Sequence, residues 1–336
     1  MTRYVRPIAM TDPCRSPDAL PLAGGWTWFD HVEVLSRERP AQRLPVTDLT
    51  EGERATLTSP RAPLCGMNFA APHLMGILNV TPDSFSDGGD HDTPAEAARV
   101  GAAMAAQGVS ILDIGGESTR PGATPVSEED EISRVVPALA AIRAAGVTTP
   151  VSVDTRNAAV AAAAFDAGAT LFNDVSALTH DPASLPLAAK RGVPVCLMHA
   201  QGDPRTMQDA PRYDDVVLDV YDYLSARVQV CVSAGIPRDR LIVDPGIGFG
   251  KTLDHNLALL RHLSLFHGLG CPILLGASRK RFIGTLGGAD RAADRAPGSI
   301  AVALEALRQG VQILRVHDTA ETAQAVALWT ALNLLG

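Results

Sequence analysis

Lysine is nearly missing from this chain. Only Lys190, Lys251 and Lys280 occur among 29 basic residues, so the other 26 are arginines. The basic residues are outnumbered by 37 Asp and Glu, for a net charge of −8. The broad positive field that a nucleic-acid or anionic-membrane binder needs is therefore lacking. Cysteines are few: Cys14, Cys65, Cys196, Cys231 and Cys271 are odd in number and widely spaced, with no C-x-x-C. That pattern excludes a disulfide scaffold and a structural zinc site, and it suits a reducing cytoplasm. The nine histidines form no H-x-x-x-H pair. No apolar run approaches the ~18 residues of a membrane span, and MTRYVRPIAMTDPC lacks the apolar core of a signal peptide. The expectation is a soluble, cytoplasmic protein with no membrane or nucleic-acid partner.

What is present is length and hydrophobic patterning. A chain of 336 residues, 46% of them hydrophobic, can bury a large core without cross-links. From residue 73 onward, short apolar runs rich in β-branched residues alternate with Ala/Leu-rich helical stretches. The runs predict strands over 73–80, 109–115, 151–155, 170–176, 193–199, 241–245, 272–278 and 312–318. Between and after them the pattern predicts helices near 93–107, 128–145, 157–167, 182–191, 213–234, 253–263, 297–309 and 319–335. Thr93 followed by Pro94 marks one helix start, an N-cap before proline at the first helical position. Near-continuous apolar strands suit a parallel sheet covered on both faces. Eight strands alternating with eight helices predict an α/β fold, a (β/α)8 TIM barrel over 73–336, in preference to an open doubly wound sheet. Residues 1–72 stand outside the repeat as an N-terminal extension. Within it, Gly24-Gly25-Trp26-Thr27-Trp28-Phe29 reads as a small hairpin packed on the barrel, placed to close its floor.

Barrel strands direct their C-terminal ends to one face, where functional groups collect. Here those ends are polar in every unit. They carry Asn79, Glu117 to Arg120, Asp154, Asn173 with Asp174, His199, Asp244, Ser278 with Arg279 and Lys280, and Arg315 with His317. Any one of these could be a helix cap or turn residue, but eight sets after eight apolar runs point to a site. Asp154, Asn173 and Asp244 offer acceptors and an amide, suited to a flat nitrogen heterocycle with adjacent N–H donors, such as a pterin or purine edge. Asn79, Thr119, Arg120, Arg315 and His317 offer donors suited to phosphate oxygens. The implied substrate has a donor-rich ring and an anionic tail.

Two nucleotide-binding motifs fail. Gly246-Ile-Gly-Phe-Gly-Lys251-Thr252 resembles a phosphate-binding loop, but Pro245 stands where that motif requires glycine. No G-x-G-x-x-G follows the first strand, which disfavours a dinucleotide fold. The glycines instead predict a tight loop over the barrel mouth, with Phe249 walling a ligand and Lys251 and Lys280 both entering the mouth. The segments 81–89 and 117–128 are long for βα loops and read as lids over substrate.

The motifs MGILNVTPDSFSDGG (75–89), DIGGESTRPG (113–122), VSVDT (151–155), FNDVSA (172–177), CLMHAQGDPRTMQ (196–208), DPGIGFGK (244–251), GASRKRFIG (276–284) and RVHD (315–318) closely resemble the dihydropteroate synthases of folate biosynthesis, in that family's order. The resemblance covers residues 73 to 336. It leaves the extension unexplained and departs in minor positions such as Ala200 and Arg281. It implies a (β/α)8 transferase, a sulfonamide target. The reaction joins 6-hydroxymethyl-7,8-dihydropterin diphosphate to 4-aminobenzoate with Mg²⁺, releasing diphosphate. By resemblance, Asp154, Asn173, Asp244 and Lys280 bind the pterin ring, with Met198 and Phe249 as apolar walls. Thr119, Arg315 and His317 hold the diphosphate end, Val316 counts among the substrate-binding residues, and Arg120, Pro121, Ser278 and Lys280 border the aminobenzoate. Asn79 is the Mg²⁺-associated position. Asp154, Lys280, Arg315 and His317 carry the catalytic roles, and a homodimer built on the last three helices is implied.

Two other readings have distinct signatures. A pterin-dependent methyltransferase barrel would share the acidic ring site but has no use for the basic rim. A non-catalytic pterin-binding paralogue should have lost rim residues, and none is lost here.

Overall fold

The computed structural model describes residues 3–81, 94–117, 126–202 and 206–334. The extension folds first. Strands β1 (Tyr4–Pro7), β4 (His31–Leu35) and β5 (Gln42–Pro45) form an antiparallel sheet, and β2 (Leu20–Pro21) pairs with β3 (Trp28–Phe29). Helix α1 (Glu51–Thr58) follows, started by a capping box in which Thr50 and Glu53 satisfy each other's backbone N–H groups. Val5, Leu22, Phe29, Val32, Val46, Leu49 and Leu57 make a small separate core there.

Eight parallel strands then alternate with helices. They are β6 (His73–Asn79), β7 (Ile111–Gly115), β8 (Val151–Asp154), β9 (Leu171–Asp174), β10 (Val195–Met198), β11 (Leu241–Asp244), β12 (Leu274–Leu275) and β13 (Ile313–Val316). Their neighbours run in sequence order, and β13 returns to pair with β6. The seam between β11 and β12 is held by a single bridge, Val243 to Ile273. The barrel is thus nearly closed, as the alternation predicts. Strand β12 is much shorter than its apolar run because Pro272, which cannot donate to a ladder, leads into it.

Helices α2 (Pro94–Ala106), α3 (Glu128–Ala144), α4 (Ala158–Asp166), α5 (Ser184–Arg191), α6 (Val216–Ser233), α7 (Leu253–Arg261), α8 (Arg281–Gly287), α9 (Ala296–Arg308) and α10 (Thr319–Leu334) wrap the sheet. Ser127 caps α3, accepting from the Asp130 N–H at 3.1 Å, and four acidic residues fill that helix's first turn, where the dipole favours them. Helix α8 is an addition to the sequence expectation. Only seven residues long, with Gly284 and Gly287 inside it and Gly288 at its C-cap, it presents too few turns to show a helical period.

The barrel interior explains the site. Successive strand residues face opposite sides, so inward positions recur every second residue. The lower interior layer is apolar: Met75, Ile111, Leu171, Cys196, Ile242, Leu274 and Ile313. It is closed from below by Leu64, Met67 and Phe69 of the extension. The hairpin expected at the floor lies elsewhere, packed on the helical layer. Its Trp26 is held by a 2.8 Å bond from Nε1 to the Leu307 carbonyl at the end of α9. The extension is tied down again by Tyr4, whose hydroxyl donates to Asp222 at 2.8 Å, and by Arg61, which donates to the His267 carbonyl at 2.9 Å.

Candidate active site

Two residues above the apolar layer, the same strands present a different chemistry. Ile111 is followed inward by Asp113, Leu171 by Asn173, Cys196 by Met198, Ile242 by Asp244 and Ile313 by Arg315. Strand β8 adds Asp154. The change from apolar to polar over one pleat is what converts a packed core into a binding floor.

Arg315 organises that floor. Its Nε donates to Asp113 Oδ2 and its Nη2 to Asp154 Oδ2, each at 2.6 Å. Burial works against its charge, but the two carboxylates outweigh burial and hold the guanidinium protonated. Asn173 donates from Nδ2 to the same Asp113 oxygen at 3.1 Å. Burial raises the Asp154 carboxyl above the usual range; Arg315 opposes the rise, and Asp113 adds to it. Oδ1 of both Asp113 and Asp154 is buried without a protein partner. Such oxygens carry a desolvation cost unless a ligand donates to them.

The glycine loop forms the roof at one side. Gly246 has φ +68°, and a Cβ on it would lie 1.9 Å from the His199 carbonyl oxygen, so no side chain fits. Asp244 accepts from the Gly246 N–H at 2.7 Å, which turns the chain over the mouth. Burial also raises the Asp244 carboxyl, against the pull of Lys280. Lys280 reaches across from the end of the β12 unit. Its Nζ donates to the Ile247 carbonyl and lies 4.4 Å from the centroid of the Phe249 ring, a cation–π contact. Burial pushes the Lys280 ammonium down to about 7, with Arg315 adding to the fall and Asp244 resisting it.

Lys251 departs from expectation. Instead of entering the mouth it is buried beneath the loop, bonded to His199 Nδ1 at 2.9 Å and to the Phe249 carbonyl at 3.0 Å. Burial drives both groups toward their neutral forms, Lys251 down and His199 down, each also depressed by a neighbouring cation. His199 is wedged edge-on against Tyr223, with centroids 4.8 Å apart. The pair therefore fastens the loop and leaves Lys280 as the lysine of the mouth.

The remaining candidates fall around this floor. Ser278 accepts from the His317 backbone at 3.2 Å and lies 3.1 Å from His317 Nδ1, so these two share the β12–β13 edge. Asn79 ends β6, level with Gly115. Met198 is buried under the Gly246 turn. Val316 is a correction. Its side chain points outward into the core between strands and helices, as strand alternation requires after inward Arg315, so it can meet a substrate only through its main chain. Thr119, Arg120 and Pro121, with most of both lid segments, lie outside the described residues. Asp113 escapes sequence reasoning because it stands inside an apolar run. Only the inward register it shares with Ile111 marks it.

A parallel barrel whose upper interior layer is acidic, roofed by a glycine loop and by Lys280, belongs to the class of pterin-binding enzymes. The family model described as pterin binding enzyme matches residues 75–317. The dihydropteroate synthase of Escherichia coli K12 is 47% identical over 260 residues, covering 77% of this chain and 91% of that one. The Xanthomonas albilineans dihydropteroate synthase solved with 4-aminobenzoic acid superposes with a TM-score of 0.75 at 47% identity, covering 80% and 96% of the two chains. The structure of that enzyme with 7,8-dihydropteroate gives 0.72 at 44% identity, over 79% and 95%. The chain belongs to the dihydropteroate synthase family of transferases.

Proposed function

We propose that this chain joins 6-hydroxymethyl-7,8-dihydropterin diphosphate to 4-aminobenzoate, with the ring held by Asp154, Asn173, Asp244 and Lys280. The observation that carries the reading is the floor itself. Arg315 is bonded to Asp113 and Asp154, Asn173 is bonded to Asp113, and the second oxygen of each of these two carboxylates has no protein donor. A ring edge rich in N–H groups satisfies them. Met198 and Phe249 supply apolar faces on either side of such a ring.

In the reaction the amine nitrogen of 4-aminobenzoate bonds to the pterin methylene carbon, the C–O bond to diphosphate breaks, and the amine loses a proton. Breaking that bond leaves positive charge on a methylene conjugated with the ring. Asp154 contributes most at that point, because its carboxylate faces charge that is absent in the ground state. His317 with Ser278, Nη1 of Arg315, Thr119 and Arg120 are assigned to the anionic tail. Ser278, Lys280, Arg120 and Pro121 are assigned to the aminobenzoate. The arylamine is a weak base, so positioning matters more than activation.

Mg²⁺ fits only as an ion shared with substrate. Among the described residues no three His, Cys, Asp or Glu side chains cluster as a metal cage. Asn79 offers one hard oxygen donor at the mouth, the kind of single protein ligand Mg²⁺ accepts beside phosphates and water. Bound there, the ion would neutralise charge on the departing diphosphate.

We also read the protein as a cytoplasmic homodimer. No helix among the described residues is long and apolar enough to cross a membrane. Leu328 and Leu332, one turn apart on α10, are 62% and 76% exposed, which supplies apolar surface for a second copy. Sedimentation of Leu332→Glu tests the dimer. The activity is tested by incubating the purified chain with the pterin diphosphate, Mg²⁺ and labelled 4-aminobenzoate. Labelled dihydropteroate should form, and Lys280→Ala should abolish it. Absence of product from the unaltered chain would overturn the reading in favour of a non-catalytic pterin binder.

A further inference from the structure

We propose that Arg279 and Asp318 are positioning residues, whose ion pair holds residue 279 in a left-handed turn that presents Ser278 and Lys280 together to the 4-aminobenzoate. The inference rests on the proposed function and adds two residues to which that function gives no role. Arg279 separates the two side chains assigned to the aminobenzoate, and its φ is +58°. A residue with a Cβ is sterically penalised there, so it keeps that conformation only where its surroundings impose it.

Here the surroundings do so from three sides. The Arg279 N–H donates to Ser299 Oγ on α9 at 2.9 Å, and its carbonyl accepts from Arg295 Nη1 at 3.0 Å. Its guanidinium donates through Nε to Asp318 Oδ2 at 3.1 Å and through Nη2 to Asp318 Oδ1. A two-pronged bond of this kind fixes direction as well as distance. Asp318 is buried, so solvent screens the pair only in part. Asp318 is itself anchored at the start of α10, where its carbonyl accepts from the Thr322 N–H at 3.0 Å and from the Thr322 hydroxyl at 2.6 Å.

Asp318 directly follows His317, and Ser278 is bonded to His317. The ends of the β12 and β13 units are therefore tied twice, by Ser278 to His317 and by Arg279 to Asp318. The two ties set one spacing, between the groups assigned to the aminobenzoate and the one assigned to the anionic tail. A reaction that joins two substrates depends on that spacing more than on activation of a weak amine. The ring floor of Asp154, Asn173 and Asp244 stands on other strands and does not share the turn.

Steady-state kinetics of the full-length chain give the KM for 4-aminobenzoate, and fluorescence titration gives the affinity for 6-hydroxymethylpterin. Arg279→Ala and Asp318→Ala should each raise that KM about tenfold, because the left-handed penalty is no longer offset by the pair. Affinity for the pterin should fall by no more than about threefold, since three floor residues still hold the ring. Arg279→Gly also loses the pair but adopts the turn without steric cost, so its KM should return to within about threefold of the unaltered value. Asp318→Ala added to Arg279→Gly should change the KM by less than about twofold, because Asp318 acts through residue 279. A KM for Arg279→Gly as high as that for Arg279→Ala would overturn the proposal and make the guanidinium itself the group that matters. Equal losses for both ligands in Arg279→Ala, as a merely structural role requires, would overturn it as well. If Arg279→Ala does not fold, Asp318→Ala decides: an effect that disappears on Arg279→Gly supports the turn, and an equal effect in both backgrounds refutes it. If the unaltered chain forms no dihydropteroate, the transferase reading fails and this inference with it. Product from the unaltered chain without rescue by glycine sinks only the role of the pair.

Discussion

Replacing Gly246 with alanine adds one methyl group at the tightest point of the site. The new Cβ would lie 1.9 Å from the His199 carbonyl oxygen, where ordinary van der Waals contact begins near 3.4 Å. The turn must therefore retreat by about 1.5 Å, because strand β10 on the other side is locked in the barrel. Alanine at φ +68° adds about 1–2 kcal/mol of backbone strain. The loop carries its neighbours with it. Asp244 loses its bond from the Gly246 N–H, the Ile247 carbonyl moves away from Lys280, and Phe249 leaves its place against the same ammonium. A displacement of about 1 Å in a positioned group can lower a rate about a hundredfold. The expected result for Gly246→Ala is thus a kcat/KM for dihydropteroate formation reduced about a hundredfold or more. The protein should remain folded, with Tm lowered by several degrees, as about 1–2 kcal/mol implies for a domain of this size. Steady-state assay with labelled 4-aminobenzoate, beside a calorimetric melt, measures both. A variant that keeps its kcat/KM within about threefold would refute the argument that this close approach positions Lys280 and Phe249.

Phe69→Ala empties part of the barrel floor, far from the mouth, so it should cost about 3–5 kcal/mol of stability while kcat is kept. Equal loss of kcat and stability would mean that the floor and the site are linked. Asp154→Asn bears on stability and pH. Burial raises this carboxyl above its unfolded-state value, so its contribution is present below that value and is lost as pH rises through the folded one. The variant should therefore gain Tm relative to the unaltered chain more at pH 8 than at pH 5, while losing activity; an equal fall in Tm at both pH values would contradict this. Lys280, pushed down to about 7, is mostly neutral at pH 8. An anionic substrate favours its ammonium form, so binding at pH 8 should take up a proton that Lys280→Met does not. Calorimetry in two buffers of different ionisation heat reads this directly, and identical proton uptake by both proteins would count against it.

The sequence determined the architecture, because a period of apolar strands and helices repeated eight times is a local property, and each unit's alternation was there to be read. It also placed a polar group at the end of each strand, and its motifs named the family. Three things were decided only in the folded barrel. Asp113 becomes part of the floor because strand register turns it inward beside Arg315 and Asn173, contacts spanning 202 and 60 residues of chain. Lys251 and Lys280, both lysines that follow barrel strands, are separated by tertiary packing, one buried against His199 and the other at the mouth. The floor plug moved from the tryptophan hairpin to Leu64, Met67 and Phe69, since which apolar segment meets the lower layer depends on how the extension docks. Periodicity is carried by neighbours in sequence, whereas the partner of a buried charge is set by closure of the sheet.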